Sequence, residues 1–291
     1  MSKISTQPGH GSGAILPARL AICVTFHFVQ ARLPILSRTV AWFSQLAREV
    51  DVAIVTNARG ESEQQQIREA LHGHGFAFRI LTPGLLGHPY LLTWCHLDVF
   101  RDRLACDSAI THFMYLEDDI LVTPANMAWW LRAREQLRAW RAIPSFLRYE
   151  LRRDCPDLLS TDVIRPLSLN NLPRIEWSED YAFVNLPLPY QGMYLLDRDL
   201  MQEHLSGPSS SPDHGRWAIR ERATQGLTFT AIPQGCTSRN FVGFCRDEGH
   251  IDLRCLIHHL PNNYANDPDS PHGKVRVIDL LRQEAAAAQH A

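Results

Sequence analysis

Short apolar runs alternate with helically spaced ones along the chain, most regularly in its first third. Leu20–Phe26 (LAICVTF) is a continuous apolar run, the pattern of a strand buried on both faces. After a polar break over 27–32, Pro34 opens a helix in which Leu36, Val40, Phe43 and Leu46 recur at helical spacing. Val50–Thr56 predicts a second buried strand ending at Asn57. Glu61–His72 predicts a polar, exposed helix stopped near Gly73 and Gly75, and Phe76–Leu81 a third strand. This β-α-β-α-β order predicts parallel strands joined by right-handed crossovers. Beyond a turn at 82–87, Leu91, Leu92, Cys95, Val99 and Phe100 make a helical stripe. Phe113–Leu116 is a fourth apolar run, and three carboxylates, Glu117, Asp118 and Asp119, follow it at once. Ile120–Val122 turns apolar again before Thr123-Pro124, and Ala125–Trp140 reads as a helix with Trp129, Trp130, Leu131 and Leu137 on its buried side.

Farther on the periodicity weakens. Residues 143–150 predict a strand whose polar face carries Arg148 and Glu150, expected to pair with each other. Residues 152–186, rich in Pro, Asn and Asp, predict loops and short strands. A strand over 190–196 follows, with Gly192 permitting close backbone approach, and then a short helix at 199–205. Gly207–Gly215 is a loop by composition. A helix over 217–225, ended by Gly226, and a strand over 227–232 come next. Leu253–His258 is the last apolar strand, and Val275–Ala288 predicts a final helix. The expected organisation is a disordered lead-in at 1–17, one α/β domain over 18–265, and a helical tail over 266–291.

Composition narrows the class. The 291 residues are 45% hydrophobic and 21% charged, ordinary for a globular chain, and a net charge of −2 without a basic run points away from nucleic acid. Seven scattered cysteines without a CxxC pair favour reduced thiols over a disulfide framework or a zinc site. No apolar run approaches the ~20 residues of a membrane helix, and the N-terminus lacks a signal-peptide core. A cytoplasmic protein is expected, with peripheral membrane attachment left open.

Three negative charges at the tip of a buried strand are costly unless something positive meets them. A divalent cation is a suitable partner, and ligands of open α/β sheets lie over the carboxyl ends of the strands. That places Thr25, His27, Asn57 and Arg59 as candidates to line a ligand, and His96 as a candidate to reach a phosphate. His258 and His259 follow the last apolar strand and are candidate metal ligands; strand alternation implies that only one of them faces the metal. Diphosphate and carboxylate oxygens suit Mn²⁺ or Mg²⁺.

The order of elements, the YLEDDI stretch and the late histidine together resemble the GT-A glycosyltransferases, over roughly residues 18–265. The resemblance implies a GT-A type α/β fold: a Rossmann-like mixed sheet flanked by helices, with a donor-binding half at 18–122 and an irregular acceptor half at 123–265. It implies a DxD-like motif at Glu117-Asp118-Asp119, with Asp119 on the metal, Glu117 facing the ribose or a metal-bound water, Asp118 beside the donor, and His259 or His258 as the late ligand. It further implies a nucleotide-sugar donor, a UDP-sugar being the commonest choice, and a glycan or other hydroxyl acceptor. Glu221 and Asp213 are the candidate catalytic bases on the acceptor side. The family's usual pair of acidic residues is missing there, so inverting and retaining chemistry both stay open. A metal-dependent phosphohydrolase or nucleotidyltransferase is the alternative. Against it stand the lack of glycine in VTFHFVQAR and the lack of a second acidic cluster. An inactive binding module is the remaining reading, opposed by retention of both the triplet and the late histidine.

Overall fold

A computed structural model describes residues 16–84 and 86–282. Its first third runs β1 (Arg19–Phe26), α1 (Leu33–Thr39), β2 (Glu49–Thr56), α2 (Glu61–Leu71), β3 (Phe78–Leu81), α3 (His96–Cys106) and β4 (His112–Glu117), in the order the pattern predicts. The strands β4, β1, β2 and β3 lie side by side, all parallel. The continuous apolar run of β1 has a direct cause. Leu20, Ile22, Val24 and Phe26 enter one core with Leu36, Phe43 and Ile67. Ala21 and Cys23 enter a second core, on the opposite face, with Phe100, Phe113 and Tyr115. Each large side chain sealed in this way contributes about 1.5–3 kcal/mol.

The chain continues with β5 (Ile120–Leu121), α4 (Pro124–Leu137), β6 (Ile143–Pro144), β7 (Leu147–Arg152), β8 (Cys155–Ser160), β9 (Leu167–Ser168), β10 (Arg174–Glu176), β11 (Tyr181–Val184) and β12 (Met193–Asp197). After these come α5 (Arg198–Ser206), α6 (Ile219–Arg222), β13 (Asn240–Cys245), β14 (His250–Ile251), β15 (Leu256–His259), α7 (Asn263–Asn266), β16 (Val275–Arg276) and β17 (Leu281–Arg282). Strand β12 joins the parallel sheet antiparallel to β4, giving the order β12-β4-β1-β2-β3. Two further sheets run β16-β8-β7-β15-β5 and β10-β11-β13-β14, with β6 alongside β13; β17 pairs with β9. The fold is α/β, with mixed sheets flanked by helices, as expected. Helix α4 starts where Thr123 and Asn126 cap each other: the Thr123 hydroxyl accepts from the Asn126 N–H at 3.3 Å, and Asn126 Oδ1 accepts from the Thr123 N–H at 2.8 Å.

Several expectations are corrected. The helix over 217–225 shrinks to α6, because Trp217 adopts a left-handed backbone with φ of 68° and sits outside any helix. The strand over 227–232 is a series of turns; Gly226, at φ of 51°, packs against the Tyr194 ring and redirects the chain. The final helix, and with it the helical tail over 266–291, is absent as far as Arg282. There β16 pairs with β8 and β17 with β9, while Val275, Val277, Leu280 and Leu281 are buried. Burial of these apolar residues against the sheets overrides their helical spacing. Residues 283–288 of that helix, and 1–15 of the expected lead-in, lie outside the described residues. Pro17 is buried, and its carbonyl accepts from the Arg48 N–H at 3.0 Å. No helix among the described residues is long and apolar enough to cross a membrane.

Candidate active site

The acidic triplet sits at the carboxyl tip of β4, in the turn to β5. Gly192 brings the neighbouring strand close: at φ of 65° it accepts the Glu117 N–H at 3.1 Å, and a Cβ there would stand 3.0 Å from Ile120 Cδ1. Backbone pairing delivers the late histidines to the same place. In the β15–β5 ladder His259 lies opposite Ile120 and His258 opposite Leu121, and the Leu260 N–H donates to the Asp119 carbonyl at 2.9 Å. The alternation of strand side chains then separates the two rings. His259 Nε2 stands 3.6 Å from Asp119 Oδ2. His258 turns away, stacks on Tyr149 with centroids 4.8 Å apart, and meets Asn262 Oδ1 at 2.8 Å.

These groups open into a cleft of about 980 Å³. Thr25, His27, Arg32, the triplet, Arg148, Asp162, Tyr190, Trp217, Glu221 and His259 are among its lining residues. Thr25 is in register with Glu117 across β1 and β4, and its hydroxyl is buried without a partner. Asn57 and Arg59 are not part of the lining. Asn57 Oδ1 accepts the Phe28 N–H at 2.7 Å, tying together the loops after β1 and β2, and Arg59 reaches the Pro83 carbonyl. His96 is a core residue: fully buried, stacked on Tyr115 at 3.8 Å and bonded to the Thr93 carbonyl at 2.6 Å. Burial lowers its pKa well below the ordinary value, so it stays neutral. Asp213 is exposed on its loop, away from the cleft lining, whereas Glu221 lines the cleft. Arg220 donates to Glu221 Oε1 at 2.9 Å, and Glu221 Oε2 is buried without a partner.

The positive charge that meets the triplet is Arg32, on the loop after β1. Its Nε and Nη2 donate to the two oxygens of Asp118 at 2.8 Å each, and Nη2 also reaches Asp119 Oδ2 at 3.0 Å. Burial opposes the Asp119 charge, but His259 and Arg32 overcome that penalty and hold its carboxyl down to about 2. Glu117 has no such partner. Burial, and then the charge of Asp119, push it up to about 7, and the Tyr190 hydroxyl donates to it at 3.2 Å. Burial alone would lower His259; Asp119 and Glu150 reverse the effect and raise it. Arg148 and Glu150 do not pair with each other. Arg148 forks onto Asp162 at 2.9 and 2.5 Å and covers the Tyr190 ring at 4.5 Å, while Glu150 bonds His259 Nδ1 at 2.5 Å. Each takes a partner from another segment of the chain.

Carboxylate oxygens and an imidazole are ligand types that a hard divalent ion such as Mn²⁺ or Mg²⁺ would take. Asp119 Oδ1 is buried with no partner, Asp118 and Asp119 already hold one cation, and His259 adds an imidazole beside them. Among the described residues no three His, Cys, Asp or Glu side chains are grouped to hold a metal by themselves. Sites for Mg²⁺ and related ions at phosphates are commonly of this kind, with one or two protein carboxylates and the remaining ligands from phosphate and water.

Arg32, Glu150, Asp162, Tyr190 and Trp217 were not foreseen as parts of the site. For Arg32 a signal exists, because a buried acidic tip requires a cation and the loop after the adjacent strand carries one. The others depend on contacts between distant segments.

No protein-family model matches the chain, and no curated protein matches it. A solved structure of an active-site mutant of the glycosyltransferase LgtC aligns over 71% of this chain and 69% of that one, at 14% identity and a TM-score of 0.37.

Proposed function

We propose that this chain is a metal-dependent glycosyltransferase that takes a sugar from a nucleotide-sugar donor, a UDP-sugar first among the candidates, and passes it to a hydroxyl acceptor. One observation supports the reading above the rest. Asp119 from the tip of β4 and His259 from β15 face each other at 3.6 Å in a cleft of about 980 Å³, a size that accommodates a small-molecule ligand.

In this reading Asp119 and His259 hold Mn²⁺ or Mg²⁺, and Asp118 stands beside the donor with Arg32. The bound ion supplies Lewis-acid neutralisation of charge on the departing diphosphate. Arg32 and Arg220 add fixed positive charge to the same cleft. Glu117 accepts from the Tyr190 hydroxyl and faces the ribose or a water. Glu221 is the better placed of the two candidate bases. Arg220 engages one oxygen, and the other, buried and without a partner, would have to be reached by the acceptor hydroxyl whose proton it takes. Trp217 and Tyr190, edge to face at 5.4 Å, form an aromatic wall for the acceptor side.

The test is a panel of UDP-, GDP- and CMP-sugars with Mn²⁺. Consumption of one donor, abolished by chelation and by Asp119→Ala with an unchanged circular dichroism spectrum, is the expected result. Normal kinetics in Asp119→Ala, or full turnover in the presence of chelator, would discard the reading. Release of phosphate from simple esters would move the chain to the hydrolases.

A further inference from the structure

Glu150 is the most deeply buried carboxylate near the cleft, with no exposed surface, and the reaction outlined above gives it no role. Its two oxygens are both engaged. Oε1 meets His259 Nδ1 at 2.5 Å, and Oε2 accepts the Ala265 N–H, at the start of α7, at 2.6 Å. A carboxylate only accepts, so the proton of that short bond belongs to Nδ1. The lone pair of a neutral imidazole is then left on Nε2, the atom that faces Asp119. Stacking on Tyr264, with centroids 5.6 Å apart and planes within 18°, holds the ring in that orientation.

We infer that Glu150 is a positioning residue that fixes His259 in the Nδ1–H tautomer and so presents Nε2 as a ready metal ligand. The arrangement is carboxylate, imidazole, metal in sequence; outer partners of this kind orient the ligand and raise its basicity. The inference rests on the metal-dependent reading, and it adds a requirement that reading does not contain. A strand residue on the neighbouring β7, outside the cleft lining, sets the affinity for the ion. A purely structural Glu150 would instead serve only to anchor α7 through Ala265.

Two measurements on the full chain separate these roles. The first is Mn²⁺ binding in the presence of UDP, followed by electron paramagnetic resonance of the free ion, for the wild type, His259→Ala and Glu150→Gln. Weakening of binding by about 10- to 100-fold in Glu150→Gln, approaching that of His259→Ala, is expected. The second is the ¹⁵N imidazole spectrum of metal-free wild-type protein in alkaline buffer. It should show His259 protonated on Nδ1, and in Glu150→Gln that preference should relax. Unchanged Mn²⁺ affinity in Glu150→Gln, with His259→Ala weakened, overturns the inference and leaves the metal-dependent reading standing. A wild type that binds no Mn²⁺ with UDP overturns both. If Glu150→Gln does not fold, the wild-type spectrum decides by itself: protonation on Nε2 overturns the inference.

Discussion

The parallel sheet of β1 to β4 and the segment from β6 to β13 are held together by different means. The sheet is held by apolar faces. Alternate residues of β1 enter two separate cores, and six of its eight positions are Val, Ile, Leu, Phe, Ala or Cys. The segment from Ile143 to Cys245 also buries apolar residues, Phe183, Val184, Phe241 and Phe244 among them, but adds side-chain amides that bond the backbone. Asn185, fully buried, donates to the Ser238 and Asn240 carbonyls and accepts from the Thr237 N–H. Gln191 Oε1 accepts the Phe146 N–H at 2.8 Å, and Asn240 Nδ2 reaches the Pro189 carbonyl. Apolar packing is spread over many atoms and tolerates small losses. An amide clamp concentrates several backbone partners on one side chain, and removing it leaves them all unsatisfied.

This contrast can be broken, or sharpened, by substitution. The largest effect is expected from Asn185→Ala, which strands several buried polar groups at once; a loss of about 3 kcal/mol in urea unfolding is expected. A loss below that of a single-methyl deletion in the sheet would refute the distinction. Next comes acid, which should act on both regions alike. Burial lowers His112, on β4, to about 4, with the nearby Asp197 opposing it; burial and then the charge of Arg101 lower His204, on α5, to about 3. Unfolded histidine titrates near 6.5. Below that pH the unfolded chain binds protons that the folded one refuses, so stability is full above 6.5 and declines as the pH falls toward these lower values. The His204 contribution alone amounts to about 1.4 kcal/mol per pH unit in that window. Thermal melts of His204→Gln between neutrality and mild acid should show a shallower decline than the wild type. An equal slope would remove His204 from the account. The smallest effect is Ile22→Val in the centre of β1, about 1 kcal/mol by the same urea titration, with the slope of the transition unchanged.

The same contrast explains what could be read from the chain beforehand. The strands of the first third are buried on both faces, so hydrophobic runs mark their positions, and their order implies the parallel sheet. The acidic tip of β4 and the opposite directions of His258 and His259, though not which of them faces the tip, are legible for related reasons, since a charge at the end of an apolar run stands out and strand alternation is fixed by geometry. Beyond residue 140 the determinants are non-local. Trp217 takes a left-handed backbone that its sequence neighbours do not announce. Val275–Leu281 has helical spacing but is drawn into pairs with β8 and β9. His96 had a polar side chain that spacing could not place, and it packs among Tyr115, Phe100 and Tyr194. Arg148 and Glu150 were adjacent on one face, yet their partners, Asp162 and His259, come from other segments.

The route by which His259 reaches Asp119 bears on how the molecule is made. β1 and β4 precede β15 in the chain by more than a hundred residues, so β15 is made well after both. Until β15 is made, the acidic tip lacks its histidine. Arg32, made long before, is the counter-charge at hand during that wait. In the finished fold Arg32 answers the carboxylates from the neighbouring loop, and the cleft is complete once β15 lies against the two residues of β5.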